Sequence, residues 1–131
     1  MKRGSFNVVI TTCGTLDHDI ARSYENYFHG DFSLDDIALG EEGLNRLGNV
    51  IVPNECYGEI LENIVLPWLS EIEDERRSES PDSPWKGFGT AELCWALGDR
   101  IDDESSLLYW IARNRIPVII PGITDGSIGA Q

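Results

Sequence analysis

The sequence predicts an α/β fold, a parallel sheet with flanking helices, and three observations carry that expectation. Short β-branched runs occur at residues 7–12 (NVVITT), 49–52 (NVIV) and 117–121 (PVIIP), and segments with apolar residues at helical spacing lie between them. Strands separated by helices pair in parallel through right-handed crossovers. The third observation concerns strand ends. The first run passes directly into Thr11-Thr12-Cys13-Gly14-Thr15-Leu16-Asp17-His18-Asp19, and Thr124-Asp125-Gly126-Ser127 follows the last. Ligands of open α/β sheets gather at the carboxyl ends of strands, so two polar, glycine-bearing turns at two such ends mark one crevice.

Taken in order, residues 7–12 read as a buried strand and 16–28 as a helix. Thr15 can cap that helix, Asp17 and Asp19 complement the positive end of its dipole, and Ile20, Tyr24, Tyr27 and Phe28 share a face. His29-Gly30-Asp31 ends it. Residues 35–42 form a weaker helix closed by Gly43, and 49–52 form a second strand stopped by Pro53. Residues 55–77 carry Ile60, Leu61, Ile64 and Leu69 at helical spacing, with Pro67 kinking or dividing the helix. A polar, proline-containing loop covers 78–86. Thr90 can cap a helix through residue 101, and Asp102 or Asp103 another running to residue 114, before the strand at 117–121. Three strands make a small sheet, and parallel strands are normally buried on both faces. Exposed apolar sheet or helix surface is therefore expected, together with more chain or a partner to cover it.

A chain of 131 residues fits one domain with one core. No run of roughly 18 apolar residues and no signal-peptide pattern is present, so the expected compartment is the cytoplasm, with no membrane partner. Cys13, Cys56 and Cys94 are odd in number and widely spaced, which suits reduced thiols rather than disulfides or a CxxC metal site. A net charge of −13 with only two lysines, Lys2 and Lys86, disfavours nucleic acid and favours cationic partners. The same acidity suits either a salt-rich cell or an ordinary acidic protein.

The first turn is not a GxGxxG fingerprint. Asp17 and Asp19 so near a helix start would repel phosphate, so the turn suits ribose hydroxyls, a nicotinamide edge or an ammonium group, or else is an ordinary strand-to-helix turn. His18 is a hydrogen-bonding or proton-transfer group near the crevice. His29 reads as structural, and no cysteine or carboxylate stands at ligand spacing, so no metal is expected. Asp125 can accept from ribose or amide groups, with Gly126 and Gly129 allowing close backbone approach, though Thr-Asp-Gly is also a common turn. Trp85-Lys86-Gly87 places a lysine beside an aromatic ring, but its polar loop lacks the desolvation that activates a nucleophilic lysine. Cys13 reads as an inert small residue, because adjacent carboxylates raise a thiol's pKa. The pieces Asp74-Glu75-Arg76-Arg77 and Arg113-Asn114-Arg115 read as solvated helix ends.

Five ordered segments, at residues 8–19 (VVITTCGTLDHD), 30–34 (GDFSL), 44–57 (LNRLGNVIVPNECY), 100–110 (RIDDESSLLYW) and 116–129 (IPVIIPGITDGSIG), together resemble the deoxyhypusine synthase family over nearly the whole chain. The form LDHDIAR at 16–22 resembles its archaeal branch. The resemblance implies a Rossmann-like parallel sheet with flanking helices, in a homotetramer whose active sites lie between paired subunits. It also implies NAD, which takes a hydride from spermidine. 1,3-Diaminopropane is released, and the aminobutyl group passes through an enzyme lysine to one lysine of translation initiation factor 5A. The protein's part is to position the reactants and neutralise charge.

By the match of motifs, Thr12, Cys13, Gly14 and Asp125 would line the NAD site. His18 would border both cofactor and spermidine, and Asp17 would meet the amine. Much of the eukaryotic family has a glutamate at the position of His18 and an aspartate at that of Ala130, and losing both removes counter-charge for a polyamine. The family's early Ser-Asn-Leu-Ile-Ser-Ser segment and its late Trp-Gly-Lys segment with the catalytic lysine have no counterpart, and Trp85-Lys86 does not replace the latter. The expectation is thus one partial NAD-binding domain over residues 1–131, incomplete relative to the family domain, with no catalytic residue of its own and inactive alone. Its expected partners are spermidine, the factor 5A precursor, and either further copies of the chain or a complementary fragment. Two rivals share the motifs: a non-catalytic regulatory subunit of a complete synthase, and a homospermidine synthase-like enzyme with a small diamine as acceptor.

Overall fold

The computed structural model describes residues 5–79, 82, 87 and 89–130, the side chain of Tyr57 excepted. Trp85, Lys86 and most of the loop expected at 78–86 lie outside the described residues. Strand β1 (Val9–Ile10) leads into helix α1 (Cys13–Tyr24), followed by β2 (Phe28–His29), α2 (Asp36–Glu41), β3 (Leu44–Leu47) and β4 (Val50–Pro53). A long helical stretch follows as α3 (Glu55–Ile60), a π-helical turn (Leu61–Val65) and α4 (Leu66–Glu79). Then come α5 (Thr90–Asp99), α6 (Leu107–Arg113), β5 (Val118–Ile119) and two 3-10 turns, Ile123–Asp125 and Ile128–Ala130. The result is an α/β fold with a parallel strand pair and flanking helices, an incomplete Rossmann-like arrangement, to which a second, antiparallel sheet is attached.

Parallel pairing joins β1 to β5 in the register Val9↔Val118 and Ile10↔Ile119. The strand expected at 49–52 does not join them. It forms β4, the middle of an antiparallel sheet ordered β2-β4-β3. The cause lies in the flanking sequence. Gly48, at a φ of +65°, turns the chain between β3 and β4 without the penalty a side chain would bring, so two short strands close on each other as a hairpin. Phe28 and His29 then add to its free edge. This also ends α1 earlier than its apolar face suggests, because Tyr27 and Phe28 leave the helix and the backbone of Phe28 and His29 bonds to the sheet instead.

Helix α1 starts at Cys13, with Thr12 rather than Thr15 as its flanking residue. Its first turn therefore holds no acid, and Asp17 and Asp19 sit one turn further on. Pro67 lies at the second residue of α4, where it lacks an N–H and its ring crowds the carbonyl of the preceding turn. The chain absorbs this by widening to a π-helical turn, in which the Leu66 N–H reaches the Leu61 carbonyl. Ser106 caps α6, its hydroxyl accepting from the Tyr109 N–H at 3.1 Å, where Asp102 or Asp103 was expected. Asp103 instead organises the turn ahead of it by accepting from the Ser105 N–H at 2.8 Å. The end of α6 is closed by a left-handed Arg115 (φ +48°), with Ile116 N–H on the Ile111 carbonyl and Arg115 N–H on that of Ala112. Gly89, not Thr90, flanks α5, and the Thr90 hydroxyl donates to the Val118 carbonyl at 3.1 Å, tying that helix to β5.

The core gathers Cys13, Leu16 and Ile20 of α1, Cys94 and Leu97 of α5, Leu108 and Ile111 of α6, and Val118, Ile120 and Ile128. Ile10, Ile119 and Val8 share the opposite face of the parallel pair and are exposed, Ile10 by 68%. The expected exposed apolar sheet surface is thus present. Among the described residues, no helix is long and apolar enough to cross a membrane.

Candidate functional site

Because β1 and β5 are parallel and adjacent, the turns that follow them emerge side by side. The Thr11 N–H bonds to the Ile119 carbonyl at 3.1 Å, so the ladder continues to the edge of the first turn. Beyond it, Ile10, Thr11, Thr12, Pro121, Gly122 and Asp125 enclose a hollow of about 440 Å³. Asp125 folds back over Gly122, where a Cβ would stand 3.0 Å from the Asp125 carboxyl carbon, so a side chain there would displace the carboxylate from this position. A second hollow of about 480 Å³ runs along the start of α1, bordered by Thr12, Gly14, Thr15, His18, Asp19 and Arg22. Thr12 lines both, and His18 also lines a third of about 450 Å³ against β3 and β4, with Asp36, Asn45 and Arg46. Thr12 is common to the first two hollows and His18 to the last two, so the three together make up a candidate channel.

Of the residues singled out by sequence, Thr12, Gly14, His18 and Asp125 border this channel. Cys13 lies beneath its floor, fully buried. Burial pushes the Cys13 thiol up and the charges of Asp17 and Asp125 add to it, while hydrogen bonds with the backbone at Gly129 and Gly126 work the other way. A thiol so placed is inert. The turn that carries Asp125 lies close to Asp17 and Cys13, since the backbone of Gly126 approaches Asp17 Oδ2 and Cys13 Sγ.

Asp17 is 6% exposed and points inward. Its Oδ2 accepts from the Ser127 N–H at 2.8 Å and its Oδ1 from the Ile128 N–H at 3.1 Å. It thereby fastens α1 to the turn that carries Asp125. It also borders a cavity of about 10 Å³ with Ala21, Ile60, Val65 and Ser127. Gly126 makes the approach possible, since a Cβ there would lie 2.7 Å from both Asp17 Oδ2 and Cys13 Sγ.

Asp19, which borders the second hollow, is 4% exposed and acts on a different partner. Its carboxylate accepts from the Ser106 hydroxyl at 2.7 Å and from the N–H groups of Leu107 and Leu108 at 2.9 Å each, and it pairs with Arg22 at 3.0 Å. It is a remote cap for α6, with its charge near the positive end of that helix. Sequence alone assigned Asp17 and Asp19 to the start of α1 and so expected phosphate to be repelled there. That objection loses its basis: the first turn has no acid, both carboxylates bind backbone amides elsewhere, and the Arg22 guanidinium borders the channel.

Sequence reasoning also missed Tyr27. Its hydroxyl lies 2.8 Å from His18 Nδ1, and the two rings meet edge to face at 5.8 Å between centroids. No local pattern signals this contact, because Tyr27 reaches His18 only after α1 has ended and β2 has joined the sheet. His29 lies on β2, away from the channel linings. Among the described residues, no group of three or more His, Cys, Asp or Glu side chains is placed to hold a metal ion.

Comparison with known proteins bears on these motifs. The family model for deoxyhypusine synthase matches residues 1–131. The chain is 51% identical over 131 residues to a probable deoxyhypusine synthase of Picrophilus torridus and 49% identical over 131 residues to one of Thermoplasma acidophilum. It is 44% identical over 132 residues to another from Sulfurisphaera tokodaii. Each match takes in 100% of this chain, but only 39%, 39% and 40% of the respective relative, so the chain spans about two fifths of their length.

Proposed function

Because the chain belongs to the deoxyhypusine synthase family, we propose that it supplies one wall of an NAD and spermidine crevice. The reaction served is transfer of the aminobutyl group of spermidine to a lysine of the translation initiation factor 5A precursor, in the cytoplasm. The observation that carries this reading is the parallel β1–β5 register, which puts Thr12 and Asp125 on one hollow. The remainder of the crevice comes from elsewhere in the assembled enzyme, whether from further residues of the same protein, another copy or a complementary polypeptide.

The residues present fit a dinucleotide. Gly14 and the N–H groups at the start of α1 allow close approach to a phosphate, and Arg22 and Arg46 border the channel further along. The Asp125 carboxylate accepts hydrogen bonds from hydroxyl or carboxamide groups, and Thr12 offers a hydroxyl to both hollows. When bound, NAD supplies the hydride acceptor for oxidation of the amine. Cys13 fills the floor beneath it without reacting. Asp17, which lies off the channel rather than against the amine, holds the Ser127–Ile128 amides and so keeps the turn that carries Asp125 against α1. His18 borders the spermidine side.

The test is NAD binding and 1,3-diaminopropane release by the assembled native enzyme, measured for the wild type and Asp125→Asn. Losing a charge-assisted hydrogen bond predicts NAD affinity weaker by roughly tenfold or more. Unchanged NAD affinity in the variant would refute the assignment of Asp125. Absence of diaminopropane release by the assembled wild type would refute the reaction.

A further inference from the structure

Thr15 lies inside α1 as its third residue, with its N–H on the Thr12 carbonyl at 3.2 Å, and its half-buried side chain borders the second hollow. Behind it stands Thr11, whose hydroxyl donates to the Thr15 hydroxyl oxygen at 2.7 Å, and to one side the Thr12 oxygen lies 3.4 Å away. A hydroxyl has one proton to give and two lone pairs with which to accept. Thr15 accepts from Thr11, so its own proton goes to the next acceptor. Thr12 is a poor one at 3.4 Å, since O–H···O bonds run at about 2.5–3.0 Å. Thr12 also flanks α1 without its side chain capping any N–H, and the first turn carries no acid. Thr12, Gly14 and Thr15 thus line one end of the hollow with donors. Asp19 borders the same hollow, but its carboxylate is engaged by Ser106, Leu107, Leu108 and Arg22.

Such a group of donors is completed by an acceptor. A polyamine cannot serve, because an ammonium group presents only N–H donors. Phosphate oxygens bring lone pairs and negative charge, and the positive end of a helix dipole favours them. We propose that Thr15 is a binding residue of the crevice whose hydroxyl, polarised by that of Thr11, donates to a phosphate oxygen of the bound dinucleotide. Thr11 acts through Thr15 as a positioning residue, since a hydroxyl that accepts one hydrogen bond becomes a stronger donor of the next. The proposal rests on the reading of the crevice as an NAD site. It deepens that reading by dividing the channel: the anionic part of the cofactor belongs at the start of α1, and the cationic amine belongs away from these hydroxyls.

The experiment measures NAD binding by calorimetry in the assembled native enzyme, for the wild type, Thr15→Val, Thr15→Ser, Thr11→Val and the double variant of Thr11→Val with Thr15→Val. Thr15→Val keeps the shape of the side chain and removes the hydroxyl, so NAD affinity falls by about tenfold or more, the size of one lost hydrogen bond to a charged group. Thr15→Ser restores affinity to within about twofold, because it returns the donor. Thr11→Val weakens binding by roughly two- to threefold and adds nothing in the Thr15→Val background, as a coupled pair requires. At saturating NAD, the phosphorus-31 resonances of the bound cofactor differ between the wild type and Thr15→Val. Unchanged NAD affinity in Thr15→Val, no rescue by Thr15→Ser, or unmoved phosphorus resonances each overturns the proposal. A loss from Thr11→Val that persists in full beside Thr15→Val overturns the part assigned to Thr11. If Thr15→Val binds NAD normally while Asp125→Asn does not, the proposal falls and the reading of the crevice stands. If the wild type binds no NAD, that reading falls and the proposal with it.

Discussion

Around α1, Asp17 and Asp19 lie buried with their oxygens on backbone N–H groups of distant segments. Beside the β2-β4-β3 sheet, Asp36 meets Arg46 through two contacts at 2.7 and 2.9 Å with its carboxylate largely exposed, and α2 buries no residue at all, Ile37 being 76% exposed. Both regions contain an acid near a basic partner. Only around α1 does the acid hold the fold together. A buried carboxylate is tolerated when several donors converge on it, and removing it then strands those donors. An exposed pair competes with water and salt and holds little.

The largest expected difference is chemical. Burial pushes the Cys94 thiol up to about 12, so at pH 8 its thiolate is scarcer than that of an ordinary cysteine by more than about a thousandfold. The sign follows from the core holding the neutral thiol. Its contribution is intact below the ordinary cysteine pKa of about 8.5, and is lost as pH rises from there toward the folded value. Iodoacetamide at pH 8, followed by mass spectrometry, should leave Cys94 unmodified until denaturant is added. Rapid labelling of the native protein would show that the α1 region opens easily and would erase the contrast.

Asp19→Ala comes next. It leaves the Ser106 hydroxyl and two amides of α6 without their acceptor, and should cost about 3–5 kcal/mol, read as a shift in denaturation midpoint. A loss no larger than that of a surface substitution would place Asp19 with Asp36.

Two glycines sharpen the comparison further. A Cβ on Gly98 would fall on the Leu108 carbonyl oxygen and 2.8 Å from Ala112 Cβ, in the tight α5–α6 contact, so Gly98→Ala should cost about 1–3 kcal/mol. A Cβ on Gly30 would meet side-chain atoms rather than backbone, Ile51 Cγ1 and Cδ1 at 2.8 Å and Leu34 Cδ1 at 3.3 Å, and a change of the Ile51 rotamer relieves it. Gly30→Ala should therefore cost less than about 1 kcal/mol in the same measurement. Equal costs would mean that the antiparallel sheet is packed as rigidly as the α1 region. Smallest of all is Arg46→Gln, for which the melting temperature should stay within experimental scatter at both low and high salt.

The candidate site was legible in sequence where it is made of contiguous residues. The runs VVITT and PVIIP gave strands, the turns after them gave Thr12, Gly14 and Asp125, and their parallel pairing followed from the helices between. What failed to show was the partner of each polar side chain. The run NVIV was read correctly as a strand but placed in the wrong sheet, because a four-residue strand carries no mark of its neighbours and the hairpin depends on Gly48. Ser106 was passed over as a cap for nearby aspartates, all equally suited by residue type. The expectation that carboxylates hold the Cys13 thiol up captured only a minor part of the cause, because burial acts first and the charges of Asp17 and Asp125 add to it, and burial is set by packing rather than by neighbours in sequence.

The family, the α/β class and the residues at the strand tips came from sequence by itself, because propensity, turn chemistry and ordered motifs act over a few residues at a time. The tertiary structure alone decided that Asp17 binds the terminal turn, that Asp19 caps α6, and that Tyr27 meets His18. Asp17 reaches Ile128 across 111 residues of sequence and Asp19 reaches Ser106 across 87. A buried charge goes wherever enough hydrogen-bond donors converge, and that convergence exists only once the helices and both sheets have packed.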